Sequence, residues 1–228
     1  MRILLCSATT FEIEPTVTWL RERAERTEAN VLFFGPTEIE VVFTGVGLTA
    51  TAFALGYRFG AGELPQLAIQ AGVGGAVDRT LELGAVVRVE REQFADLGAE
   101  DRDGQFLSLS KIGLPPGPPF DEAGVLRPTA SAHLPFPEVT GISVNRVSGS
   151  AATIGARRAL FPDAQVESME GAAFFYACMQ SGVEPLQLRG ISNYVEPRNR
   201  EAWRMGEAIK ALNGALRRVL GAFIGAED

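Results

Sequence analysis

The sequence predicts an α/β protein with a largely parallel sheet flanked by helices. Three observations carry this. Apolar runs of strand length alternate with helical runs along the chain. The opening run Ile3-Leu4-Leu5-Cys6-Ser7 gives way directly to an amphipathic stretch over 16–25. The final helix, expected over 202–223, carries Ile209, Leu212, Leu216 and Val219 at helical spacing along one face.

Residues 3–7 form the expected first strand. Residues 31–34 and 39–44 form a hairpin turned through Gly35-Pro36. A small-residue helix over 49–59 leads to a buried strand at 67–71. Residues 85–93 partly alternate apolar with charged side chains, which predicts a strand with one wet face. Later strands are expected at 141–147 and 186–191. The stretch 99–137, with Pro115-Pro116-Gly117-Pro118-Pro119 at its centre, reads as a long excursion or lid, because neither side of it looks complete. The chain of 228 residues therefore reads as one domain.

Composition narrows the function. Net charge is −7 with no basic cluster, which argues against nucleic acid as a partner. One histidine, His133, and two separated cysteines, Cys6 and Cys178, make a zinc site improbable, and a Ser-His-Asp mechanism has only His133 to use. Both cysteines lie in apolar runs and read as reduced core residues. No run approaches the roughly 18 apolar residues of a membrane span. The opening strand is too short for a signal peptide, so the expected compartment is the cytoplasm.

Four places carry candidate chemistry. In Ser7-Ala8-Thr9-Thr10-Phe11-Glu12, Thr9 and Glu12 have the spacing of a capping box. That register buries Pro15 inside the helix, so the expectation is a later helix start that leaves Glu12 in the strand-to-helix turn. A carboxylate there suits a general base on water. Gly45-Val46-Gly47 and Gly72-Val73-Gly74-Gly75 each follow a strand and suit tight turns or close backbone approach to a ligand; no P-loop Lys follows. Met169-Glu170 opens an apolar helical run. One carboxylate can accept two hydrogen bonds side by side, as vicinal ribose hydroxyls require, and Met169 can pack on the sugar; the alternative is a first-turn Glu favoured by the helix dipole. Finally, Ser192-Asn193 ends a buried strand, where α/β sheets place ligand chemistry, and Trp203 stands ten residues on, as core or as pocket wall.

With these residues in view, the chain resembles the purine nucleoside phosphorylase/hydrolase superfamily. Within it the chain looks closest to the nucleosidases of methylthioadenosine and S-adenosylhomocysteine, and among those to the futalosine hydrolases. The resemblance runs in order from Ile3 to the last helix, with the proline-rich segment poorly matched. It implies a three-layer fold with a mixed, partly barrel-like sheet, no metal or organic cofactor, and a homo-oligomer, expected as a dimer whose second subunit helps close the 5′ side. It places Glu12 on the family's catalytic acid/base and Met169 and Glu170 on the ribose site. Ser192 and Asn193 fall on the base site, with Gly74 and Gly75 among the glycines lining the nucleoside and Trp203 on the 5′ side.

The departures from the pattern are informative. Adenine-specific nucleosidases carry a second Glu where this chain has Ser168, an aromatic where it offers Ala152, and an Asp where it has Asn193. An ionised Asp suits the 6-amino group of adenine but repels the O6 of hypoxanthine. An amide can donate to O6 and accept from a protonated N7. The resemblance and the Asp-to-Asn exchange together imply hydrolysis of futalosine, with hypoxanthine as the leaving base of a step in menaquinone biosynthesis. An adenine-releasing nucleosidase, a 6-oxopurine phosphorylase and a non-catalytic binding protein are the alternatives. Phosphorolysis would want Arg or Lys near the attacking face; the first loop offers Glu12, and the nearest basic candidates by sequence are Arg79 and Arg88, the latter in a strand expected to be exposed.

Overall fold

The computed structural model describes residues 1–129 and 134–226; His133 lies outside them. The elements run β1 (Arg2–Ser7), α1 (Thr10–Arg21), β2 (Arg26–Glu28), β3 (Val31–Phe34), β4 (Thr37–Phe43), α2 (Leu48–Gly60), β5 (Leu67–Ala76), β6 (Val86–Phe94), β7 (Gly98–Glu100) and β8 (Phe106–Ser108). They continue with β9 (Glu138–Ser143), α3 (Ala151–Leu160), β10 (Val166–Ser168), α4 (Gly171–Ser181), β11 (Glu184–Tyr194) and α5 (Met205–Ile224).

Nine strands form one mixed sheet in the order β10-β9-β6-β11-β5-β1-β4-β3-β2. The short β10 also pairs antiparallel with β5, so β5, β11, β6, β9 and β10 close on themselves as a barrel while the remaining strands fan out. Parallel pairs join β5 to β1 and β11, β4 to β1, and β9 to β6 and β10. The β11–β6 pair is antiparallel, as is the β2-β3-β4 meander. The sheet is thus mixed rather than largely parallel.

Alternation along β1 builds the layers. Leu4 and Cys6 face α2 and α4, packing with Leu55, Phe59, Phe174 and Phe175. Ile3 and Leu5 face α1 and α5, packing with Ile13, Val17, Leu212 and Leu216. A period of two on the strand therefore supplies both cores. Both cysteines are free and buried, and burial pushes the Cys6 thiol up to about 12. Among the described residues no helix is long and apolar enough to cross a membrane.

Two strand expectations change. Residues 85–93 were expected to have one wet face, but β6 lies between β11 and β9, and Val87, Arg88 and Val89 are all buried. The glycines Gly72, Gly74 and Gly75 lie inside β5 rather than in a turn after it. The excursion 99–137 contains the β7–β8 hairpin and then returns to the barrel. Leu126 inserts fully buried beside Glu92, and Phe120 packs its ring at a tilt against Phe94 and Tyr176.

The first helix also starts earlier than expected. Thr9 is its N-cap, Glu12 is its third residue, and Pro15 sits inside it. The cost of an internal proline is met from the far end of the chain. Asn213 of α5 is buried and inserts its amide beside Pro15: Nδ2 donates to the Glu12 carbonyl at 2.8 Å, while the Thr16 N–H donates to Oδ1 at 3.0 Å. These are the two groups that an i→i−4 bond joins in a regular helix. The Thr16 hydroxyl adds a third bond to Oδ1 at 2.6 Å. Asn213→Ala should strip these partners from a buried site and lower unfolding free energy by about 1–3 kcal/mol in urea titrations. A loss below about 0.5 kcal/mol would show that the splice contributes little.

Candidate active site

The opening of α1 puts Glu12 at the centre of the molecule. Its Oε2 accepts from the Thr9 N–H at 3.1 Å, the Thr9 hydroxyl at 2.7 Å and the Ser7 hydroxyl at 3.0 Å. Its Oε1 accepts from the Val73 N–H on β5 at 3.0 Å. The capping box is therefore present, and its carboxylate also reaches the barrel. The capping reading holds, with Oε2 serving the cap, while Oε1 lies outside it and faces β5.

Glu170 is the N-cap residue of α4, yet its carboxylate makes no bond to that helix. It turns to the β4–α2 loop, where Gly47 N–H donates to Oε1 at 3.0 Å, and to Arg189, whose Nη1 lies 3.4 Å from Oε2. Gly47 holds φ +95°, a left-handed conformation that side-chain-bearing residues rarely adopt. Gly47 thereby aims its amide at the carboxylate. The dipole reading of Glu170 gives no account of these partners; Met169 beside it is half-buried.

Arg189 pairs with Glu170 and lies across Gly72 from Glu12, and sequence reasoning assigned it no role. It is the largest fully buried side chain. Nε donates to Gln187 Oε1 at 2.9 Å, Nη2 to Gln70 Oε1 at 2.9 Å, and Nη1 to the Val73 carbonyl at 3.3 Å as well as to Glu170. A Cβ on Gly72 would stand 2.8 Å from Arg189 Nη1 and 3.0 Å from Glu12 Oε1. Gly72 is thus the gap into which guanidinium and carboxylate both fit. The sequence signal was a lone arginine in an apolar strand, followed by Gly190, whose missing side chain lets the Ala208 carbonyl of α5 close in.

The residues expected on the base side lie further along β11. Ser192 and Asn193 are inside the strand rather than past its end, at a register shift against β5. This bulge re-aims the side chains. Ser192 is buried and its hydroxyl lies 3.2 Å from the Gly74 carbonyl and 2.8 Å from Asn193 Oδ1; Asn193 Nδ2 donates to the Tyr194 carbonyl at 3.0 Å. One donor hydrogen and one lone pair of the amide remain for a ligand. Asn193 lines a cavity with Gly75, Ser148, Glu167, Tyr194 and Trp203.

Trp203 is half-buried in that wall, between a 3₁₀ turn (Arg200–Ala202) and α5. Arg198 and Arg200 each place a guanidinium 5.8 Å from its ring centre. Gly75 borders the cavity, whereas the side of Gly74 faces Val166. Ala152 is exposed in the first turn of α3, outside the cavity lining, because Ser150 caps the helix and turns Ala152 outward. Of the two basic candidates, Arg88 is buried beside Glu138 and Arg79 pairs with Glu196 at the surface. Among the described residues, no group of three or more His, Cys, Asp and Glu is placed to hold a metal ion.

These features, a helix-flanked sheet closing into a barrel with two carboxylates and an amide at its strand ends, place the chain in a known class. It belongs to the phosphorylase superfamily, whose family model matches residues 2–224. Among curated proteins it is similar to two futalosine hydrolases. That of Streptomyces coelicolor is 38% identical over 156 residues, which are 66% of this chain and 63% of that protein. That of Thermus thermophilus is 34% identical over 192 residues, 78% and 79% of the two chains. The matched region is thus just under two thirds of the first relative's length. Solved structures share the fold. A methylthioadenosine/S-adenosylhomocysteine nucleosidase of Neisseria meningitidis, in complex with methylthio-immucillin-A, has TM-score 0.75 at 15% identity, covering 97% of this chain and 99% of that one. A futalosine hydrolase mutant of Helicobacter pylori has TM-score 0.75 at 16% identity, with the same coverage of both.

Beneath the two acids lies a third, Glu92 of β6, almost wholly buried. A Cβ on Gly171 would stand 2.0 Å from its Oε1, so the start of α4 closes directly over it. Burial pushes the Glu92 carboxyl up to about 7 from 4.5, while Arg189 and a 3.0 Å bond from the Ser143 hydroxyl hold it down in part. Between those values the folded state binds more protons than the unfolded one. Stability contributed by Glu92 is therefore full below about pH 4.5 and is lost as pH rises through about 7. Glu92→Gln, which is neutral at every pH, should remove this slope. Melting curves of wild type and variant between pH 4.5 and 8 should diverge in the variant's favour as pH rises; parallel curves would contradict the assignment.

Proposed function

We propose that the protein hydrolyses the N-glycosidic bond of futalosine, releasing hypoxanthine and dehypoxanthine futalosine in menaquinone biosynthesis. It acts as a single domain, in the cytoplasm, as a homo-oligomer. The observation that carries the reading is an amide, Asn193, in a cavity wall of the barrel that also holds Glu170 paired to the buried Arg189 and Glu12 bonded to β5. Similarity to curated futalosine hydrolases supports it.

Glu170 accepts from the ribose hydroxyls and fixes the position of C1′, with Met169 on the sugar face. As the glycosidic bond breaks, charge builds on the purine. N7 takes up a proton from solvent as the bond breaks, and Asn193 donates to O6 and accepts from that N7–H. Glu12 holds a water against C1′ and takes its proton as the bond to carbon forms. Trp203 flanks the 5′ substituent, and Arg198 and Arg200 beside it supply cations for the distal carboxylate of futalosine. Glu12→Gln keeps the shape of the cap but removes the base, so turnover should fall by roughly 10²–10⁴. Near-normal turnover in a variant of unchanged melting temperature would return Glu12 to a capping role alone.

Base selection is the decisive assay. Purified protein offered futalosine, its 6-amino analogue and methylthioadenosine should release hypoxanthine from the first far faster than adenine from the others. Asn193→Asp is nearly isosteric and should narrow or reverse the preference. Mis-pairing a buried polar group costs about 1–3 kcal/mol, a change of roughly tenfold to more than a hundredfold in relative kcat/KM. A wild type that prefers the 6-amino substrate would sink the reading.

A further inference from the structure

The base cavity has a second polar wall that faces Asn193 across β5. Glu167 of β10 pairs with Gly75, and Gly75 pairs on its other side with Asn193 of β11. Residues directly opposite one another on neighbouring strands point to the same face. Glu167 and Asn193 therefore share a face, separated by a residue with no side chain. Adjacent strands lie about 4.8 Å apart, so the two backbones stand roughly 10 Å from each other with the Gly75 backbone as floor between them. Both residues line the same cavity, and Glu167 is only 5% exposed.

The hydrogen bonds of Glu167 can be counted. Ser148 N–H donates to Oε1 at 2.7 Å, and the Ser148 hydroxyl and Arg157 Nη1 donate to Oε2 at 2.6 and 2.9 Å. A carboxylate offers about four acceptor positions. Oε2 is filled by two donors and Oε1 by one, so one lone pair of Oε1 is left over. Arg157 also donates to the Arg146 carbonyl and the Ser148 hydroxyl, which fixes the carboxylate's orientation from behind.

We propose that Glu167 is a specificity-determining residue that reads N1 of the purine, its free Oε1 lone pair accepting the N1–H of hypoxanthine. This rests on the hydrolase reading above and extends it to a second edge of the base. Hypoxanthine carries a proton on N1, whereas adenine carries a lone pair there. A paired carboxylate can only accept, so it favours the first and repels the second. Asn193 then reads N7 and O6 from β11 while Glu167 reads N1 from β10. Gly75 lets the Asn193 amide lean in over the strand, since a Cβ there would stand 3.0 Å from Val195 Cγ2 and 3.1 Å from Asn193 Nδ2.

The test uses hypoxanthine, adenine and 1-deazahypoxanthine, an analogue of the same shape with C–H in place of N1–H. Wild type should bind hypoxanthine roughly ten- to a hundredfold more tightly than the deaza analogue, and Glu167→Gln should bind the two within about threefold. The variant should also show a narrowed preference for futalosine over its 6-amino analogue. Equal binding of hypoxanthine and the deaza analogue by wild type, or undiminished discrimination in a folded Glu167→Gln, would overturn the proposal. If that variant does not fold, a crystal structure of the unaltered protein with hypoxanthine decides. N1 within about 3 Å of Glu167 Oε1 supports the assignment, and N1 facing water or a backbone carbonyl overturns it. Wild-type release of hypoxanthine from futalosine separates the two levels. Its failure removes the hydrolase reading, whereas its success with an indifferent Glu167 removes only this one.

Discussion

A guanidinium buried in the sheet organises this molecule. Arg189 stands in the middle of β11, where a charged group survives only if every donor is met and its charge is matched. Gln187 and Gln70 meet two donors from neighbouring positions, the Val73 carbonyl meets a third, and Glu170 supplies the opposing charge. Removing Glu170 would leave the cation uncompensated, and removing any other partner would leave a buried donor unmet. The sheet register, the start of α4 and the position of Glu170 are thereby tied to one side chain, and Glu12 is held against it across the gap at Gly72. Commitment to these partners also settles what the cation is free to do. It has little capacity left for a phosphate, and the two carboxylates beside it would repel one.

Closure of the barrel does the remaining work. Through the three-residue β10, β5 gains a neighbour on each side beyond Gly74, so three strands meet where two would in an open sheet. The glycines at 72, 74 and 75 make this meeting feasible, each leaving room for a different neighbour: Arg189 with Glu12, Val166, and Asn193. Strand ends that would otherwise lie at the edge of an open sheet are brought around a single cavity.

Much of this was legible from the chain. The alternation of runs, the hairpin through Gly35-Pro36 and the residues Glu12, Glu170 and Asn193 all stood out, because a polar group at the end of an apolar run is a local signal. What was not legible is non-local. Pro15 argued for a later helix start; the structure tolerates it through Asn213, some two hundred residues away, and no window on the first helix contains that information. Arg88 looked exposed because its strand alternates, yet strand order places β6 centrally. Arg189 carries no local signal of its role, since its importance appears only when Gln70, Val73 and Glu170 arrive from other elements. Ala152 was placed by alignment with an aromatic, and a capped helix turns it to solvent. Glu167 sits one residue before Ser168, and only the pairing of β10 with β5 brings it into the same cavity wall as Asn193.

The central claim is that two carboxylates around a committed guanidinium make water the nucleophile. The most direct test is base release from futalosine in phosphate-free buffer and again with inorganic phosphate added, the sugar product being followed by ³¹P NMR. The account predicts the same rate of hypoxanthine release in both and no phosphate ester at C1′. A rate that rises with phosphate, accompanied by a new sugar 1-phosphate resonance, would contradict it.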